Sequence, residues 1–242
     1  SGAHVDVTKV EDVALTLQTM HEAFVRHGLE AAWTRVLALV VQPGVEFGDD
    51  FVVEYQPVLA RGLARYIEGQ PLVYEAHSTD YQQRTALRSL VCDHFAILKV
   101  GPALTFAYRE ATFALSMIEA ELFPTSNSGL IRVVEDVMLQ HPEHWQKHYN
   151  GSESEKALKR KFSLSDRIRY YWPYPQVQEA VALLLHNLRS RPLPRSLLSQ
   201  FLPEQYRRLR AQGKDATAEN IISDRISEVL AEYDAACAST NQ

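Results

Sequence analysis

Three short aliphatic runs constrain this chain more than anything else in it: RVLALVV at 35–41, LVY at 72–74 and FAILKV at 95–100. Each is too short for a stable helix and apolar on consecutive positions. A strand with that pattern is buried on both faces, which is the condition inside a parallel sheet covered by helices. Each run closes on turn chemistry or polar residues: Gln42-Pro43-Gly44, Glu75 to Asp80, and Gly101-Pro102. Segments of helical period separate them. The strands recur roughly every 30 residues, as consecutive β/α units with right-handed crossovers do.

The helical segments are 10–33, 50–68, 82–94 and 104–122. In the first, Val13, Leu17, Met20, Phe24 and Ala31 share one broad face, and Gly28 closes the main helix. Residues 1–122 therefore read as one α/β region. Residues 123–242 change character after the turn-rich 124–129. Helices are expected near 129–139, 142–148, 153–161, 175–190, 203–212 and 217–236, with no convincing strand. This second region reads as a helical C-terminal extension packed on the first.

The bulk numbers narrow the function class. Hydrophobic residues make up 46% of the 242 and charged residues 23%, ordinary values for a packed globular chain. A formal net charge of −5 gives no basic face, so neither nucleic acid nor an anionic membrane surface is an expected partner. Cys92 and Cys237 stand far apart in no metal or redox spacing, which fits a reducing cytoplasm. The opening SGAHVDVTKVED has neither a basic nor an apolar signal region, and no apolar run is long enough to span a bilayer.

In parallel α/β folds, ligands sit outside the carboxyl ends of the strands. Those ends carry Gln42, Glu46, Glu75, His77, Asp80, Lys99, Gly101 and Thr105. His77 is the sharpest of them, since a neutral imidazole serves as a metal ligand or a general acid–base group. Glu75 and Asp80 flank it as orienting or acid–base carboxylates, while Ser78 and Thr79 suit the cap of the next helix. Lys99, in an otherwise apolar strand, suits a phosphate or an ion pair with Glu75 or Glu46. Gly101, with Thr105 on the following turn, opens a helix whose N-terminus favours anions. Further on, Arg167 and Arg169 in SLSDRIRYYWPYP suit a phosphate clamp or an aromatic docking surface. His141, His144 and His148 have helical spacing, but Pro142 interrupts it.

Five stretches together resemble one family: VVQPGVEFGD (40–49), YEAHSTDYQ (74–82), FAILKVGPALTFAYREATFAL (95–115), FSLSDRIRYYWPYPQVQ (162–178) and SQFLPEQY (199–206). The chain resembles the Z-type subunits of tagatose-1,6-bisphosphate aldolase, the GatZ/KbaZ family. The resemblance implies a TIM (β/α)8 barrel of which these are the last three βα units, the first five strands lying outside this sequence. It implies an accessory, non-catalytic subunit that supports a Y-type class II aldolase subunit acting on a phosphorylated ketose. It also implies a likeness to zinc-dependent aldolases, with His77 in the place of a metal-binding histidine. There the pattern departs: those enzymes continue His-Gly-X-Ser-Gly, and this chain has His-Ser-Thr-Asp, so a complete zinc site is not expected from these residues. The second functional reading is a metal-dependent aldolase or isomerase. No GxxxxGK[ST] or kinase glycine loop is present, so a kinase is not expected. An open sheet edge makes a second copy of the chain another expected partner.

Overall fold

The computed structural model describes residues 5–238. They form a mixed α/β protein, rich in helix, with a small parallel sheet, arranged as two compact units. Among the described residues, the first comprises 5–101 with 231–238, and the second 102–230.

The first unit opens with α1 (Val10–Arg26), and a one-turn α2 (Glu30–Trp33) follows. The main helix closes at Gly28, as expected, and a short helical turn follows it. Gly28 takes φ +65° and lets the Leu29 N–H return to the Phe24 carbonyl at 2.9 Å. Three strands then pair in parallel: β1 (Ala38–Val40), β4 (Val73–Ala76) and β5 (Phe95–Leu98), in the order β1-β4-β5. Helices α3 (Pro57–Ile67) and α4 (Arg84–Cys92) supply the crossovers.

All three aliphatic runs therefore become strands of one sheet, though only one of its faces is filled. Tyr74, Ala76 and Phe95 are fully buried against Ala60, Leu63, Leu87 and Leu90. The Tyr74 and Phe95 rings lie 5.1 Å apart. The opposite row, Val40–Glu75–Ile97 across the three strands, remains open, with Val40 53% and Ile97 41% exposed.

One local expectation is corrected here. A helix was expected from residue 50, but a two-residue strand β2 (Glu46–Phe47) pairs antiparallel with β3 (Val52–Val53), and α3 starts only at Pro57. Proline at the first helical position has no N–H to lose and fixes a helical φ, which explains the late start. Gly44 is required in the loop before β2. Its φ is +91°, and a Cβ there would meet Val7 Cγ2 at 3.0 Å.

The second unit is helical: α5 (Pro102–Leu122), α6 (Leu130–Gln140), α7 (Glu153–Phe162), α8 (Pro175–Arg189), α9 (Arg195–Phe201), α10 (Pro203–Ala211) and most of α11 (Ala218–Ala238). The strand-free expectation for 123–242 holds among the described residues, and α9 is an addition to it. The helix expected at 142–148 is only a 3₁₀ turn over Pro142–His144. Ser152 and Glu155 form a reciprocal capping box at the start of α7. Fully buried Glu119 accepts from the Ser128 N–H and hydroxyl and from Asn187 Nδ2 at 2.7 Å, so its charge is met by three donors. Helix α5 belongs to the helical unit, and its Phe113, Leu115 and Ile118 join that unit's core.

Candidate functional site

The segment after β4, His77-Ser78-Thr79-Asp80-Tyr81-Gln82, is the hub of the first unit's carboxyl rim. Alternation along β4 decides what it presents. Tyr74 and Ala76 point into the helix-covered core, so Glu75 and His77 fall on the open face. There His77 Nε2 lies 2.6 Å from Glu75 Oε1, with side chains 44% and 26% exposed. Both Ser78 (φ +54°) and Tyr81 (φ +64°) take left-handed backbone, a conformation that costs a non-glycine residue free energy.

The rest of the hub is bonding that holds it in place. The buried Thr79 hydroxyl donates to the Lys99 carbonyl at 2.9 Å, tying the β4 loop to the end of β5. The Tyr233 hydroxyl, from the last turns of α11, donates to the Thr79 carbonyl at 2.8 Å. Burial pushes the Tyr233 phenol up to about 12. Next to it, Glu232 receives Arg84 in two bonds, Nε at 2.7 Å and Nη2 at 2.8 Å, and this pairing lowers the Glu232 carboxyl below its usual range. Buried Gln82 accepts the Tyr55 N–H and donates to the Val53 carbonyl, both at 2.9 Å. Tyr81 meets Phe47 edge to face at 5.2 Å.

The sequence-derived site residues separate under this geometry. Glu75 and His77 come together as a hydrogen-bonded pair. Buried Asp80 serves the loop: its Oδ1 accepts the Gly101 N–H at 2.9 Å. That bond also occupies the amide singled out for a phosphate. Gln42 builds its own loop, its Oε1 accepting the N–H groups of Gly44 and Val45 at 2.8 and 3.0 Å. Glu46 caps the N–H of Phe47 at 3.0 Å. The ion pair expected between Lys99 and Glu75 or Glu46 does not form among the described residues, and Lys99 is exposed.

The remaining three residues, Thr105, Arg167 and Arg169, belong to the second unit. Thr105 Oγ1 donates to Asp166 Oδ2 at 2.6 Å, and Arg109 Nε donates to Asp166 Oδ1 at 2.9 Å. Asp166 is buried and left-handed (φ +45°), and burial raises its carboxyl above the usual range against the lowering pull of Thr105 and Arg109. It opens the 3₁₀ turn Arg167–Tyr170, which carries both arginines. Sequence reasoning missed Asp166, Arg109 and Tyr233. Only the adjacency of Asp166 to the two arginines pointed toward this cluster.

The donor set does not fit a zinc ion. His77 and Glu75 are two groups, a catalytic zinc needs three protein ligands, and no group of three or more His, Cys, Asp or Glu poised for a metal occurs among the described residues. No described helix is long and apolar enough to cross a membrane.

Comparison with known proteins gives a consistent picture. The chain is 50% identical over 235 residues to the D-tagatose-1,6-bisphosphate aldolase subunit GatZ of Escherichia coli O157:H7, a match covering 97% of this chain and 56% of that protein. The same subunit from Klebsiella pneumoniae is 50% identical over 236 residues, with the same coverage. The chain thus spans little more than half the length of these curated relatives. A crystal structure of a "probable tagatose 6 phosphate kinase" from Sinorhizobium meliloti 1021 superposes with a TM-score of 0.93 at 44% identity, over 98% of this chain and 62% of that one. The family model for D-tagatose-1,6-bisphosphate aldolase subunit GatZ/KbaZ-like proteins matches residues 1–238. The chain belongs to the GatZ/KbaZ-like family of D-tagatose-1,6-bisphosphate aldolase subunits.

Proposed function

We propose that this chain is the carboxyl-terminal portion of an accessory subunit of a cytoplasmic tagatose-bisphosphate aldolase, supporting a Y-type catalytic subunit in the breakdown of a phosphorylated ketose. The observation that carries the reading is the family match over residues 1–238 together with a rim spent on internal bonds. Thr79, Asp80 and Gln82 each stitch one segment to another, and Gln42 braces its own loop. Polar groups bonded within the chain are not available to hold a substrate.

The three-stranded sheet is proposed as the last three strands of a β/α barrel, with residues 123–242 as its helical extension. Support comes from the open row Val40–Glu75–Ile97, since parallel strands are normally covered on both faces. Relatives nearly twice as long have the residues to supply that cover.

A second reading, an aldolase or isomerase in its own right, has one observation in its favour: the Glu75–His77 pair at 2.6 Å, poised to move a proton. Kinase chemistry is not proposed, because the sequence lacks a phosphate-cradling glycine loop with its lysine. The two readings separate in one assay of tagatose 1,6-bisphosphate cleavage, with metal analysis of the same sample. The accessory reading expects no turnover by the chain alone and a higher, longer-lasting rate when a Y-type subunit is present. Turnover without the partner, lost in His77→Ala, would overturn it.

A further inference from the structure

A half-buried arginine almost always has a carboxylate to itself, because a desolvated guanidinium is costly without one. The arginines of this chain that are not exposed are Arg109, Arg160, Arg167, Arg169, Arg208 and Arg225. Four obey the rule. Arg109 pairs with Asp166, Arg160 with Glu135, Arg208 with Asp224, and Arg225 with Glu110. Arg167 and Arg169 form no such ion pair among the described residues.

They differ in how they are held. Arg169 is fixed by neutral groups: Nη1 donates to the backbone carbonyls of Ser165 and Asp166, and Nη2 to the Tyr170 hydroxyl at 2.9 Å. The Asp166 carboxylate feels its charge but is bonded to Arg109 and Thr105. Arg167 is uncommitted. Its backbone N–H donates to the Tyr149 hydroxyl, while its side-chain Nε is buried with no hydrogen-bond partner. Both guanidinium groups border one ring, Tyr170, at 5.7 Å and 4.5 Å from its centroid. Tyr170 is 40% exposed, and the His144 imidazole stacks on it at 5.1 Å.

We infer that Arg167, Arg169 and His144 around Tyr170 form an oxyanion-binding site in the helical unit, separate from the Glu75–His77 rim, and that its ligand is a phosphoryl group. Arg169 supplies a fixed positive field. Arg167 supplies the free planar fork, with a buried donor awaiting an acceptor, and such forks match phosphate two bonds at a time. An orphaned buried N–H calls for a partner, and an oxyanion satisfies it while neutralising both guanidinium groups. Only the source of the phosphoryl group, a sugar phosphate or free phosphate, rests on the function proposed above.

The test is calorimetric titration of the intact chain with inorganic phosphate, tagatose 1,6-bisphosphate and unphosphorylated tagatose. Both phosphate-bearing ligands should bind and tagatose should not; tighter binding of the bisphosphate identifies a sugar phosphate as the source. Arg167→Ala should weaken binding at least tenfold, and Arg26→Ala, at the exposed end of α1, should leave it unchanged. Arg167→Lys keeps the charge and most of the stem, so it guards against a folding artefact; it should recover only part of the affinity. The site is refuted if the wild-type chain binds neither phosphate ligand, if Arg167→Ala binds as tightly as wild type, or if only a hexaglutamate control peptide binds. A Y-type subunit whose cleavage rate is unaffected by this chain, alongside intact phosphate binding, would reject the proposed function and leave this site standing.

Discussion

At the scale of single residues, the strongest statement concerns Asp166. It carries a left-handed backbone, a buried carboxylate and bonds to Thr105 and Arg109. Removing it in Asp166→Ala leaves the Arg109 guanidinium buried without its anion. The expected loss is about 3–5 kcal/mol in urea unfolding. Replacing both partners together, Asp166→Leu with Arg109→Met, should cost much less, because no charge is then stranded. Equal losses in the single and double variants would contradict the pairing. Tyr233→Phe tests the rim in the same way. It removes one hydrogen bond to the Thr79 carbonyl, worth about 1 kcal/mol, and should speed amide exchange in 78–81 while leaving α6 and α8 unchanged. None of this was legible beforehand: the sequence shows that Asp166 precedes an arginine, but not that its backbone turns left-handed to aim the carboxylate inward.

At the scale of elements, periodicity and turn chemistry recovered what local physics controls. The three aliphatic runs became β1, β4 and β5 because each is too short for a stable helix and is closed by turn or polar residues. Gly28 ended α1 as a left-handed cap should. The β2–β3 hairpin escaped because its strands are two residues each, too short for any alternation to register. The 142–148 segment failed as a helix because Pro142 and the burial of Trp145 and Tyr149 outweigh its spacing. Of the rim, His77 beside Glu75 was readable from the alternation along β4. The diversion of Asp80 to the Gly101 amide was not, since it depends on how two loops meet.

The end of α11 also belongs to this scale, through Arg84 and Glu232. Glu232 has a lowered pKa, caused first by its bonds to Arg84. A depressed carboxylate stabilises the folded state above its unfolded pKa, and that contribution disappears as the pH falls through the folded value. Acidification below the ordinary glutamate range should therefore loosen the last turns of α11, seen as faster amide exchange in 231–238. In Arg84→Ala that looseness should already be present at neutral pH. Exchange that ignores both pH and substitution would show that the contact is idle, as many exposed ion pairs are.

At the scale of the whole molecule, the sheet presents an open face and an unpaired edge strand, with Leu37 73% and Val40 53% exposed. Such surface pairs with whatever strand or apolar face it meets. When this chain is made alone it should associate with itself as its concentration rises, and Leu37→Lys with Val40→Lys should keep it monomeric in sedimentation. A wild-type chain that stays monomeric at high concentration would show that the open face carries no such tendency. The account as a whole, however, stands on the chain's supporting role toward a catalytic partner. The direct measurement is the half-life of tagatose-bisphosphate cleavage by a Y-type subunit as this chain is titrated in. The account predicts a half-life that lengthens and levels off at a fixed molar ratio, with no cleavage by the chain alone; a half-life indifferent to the chain, or cleavage without the partner, would contradict it.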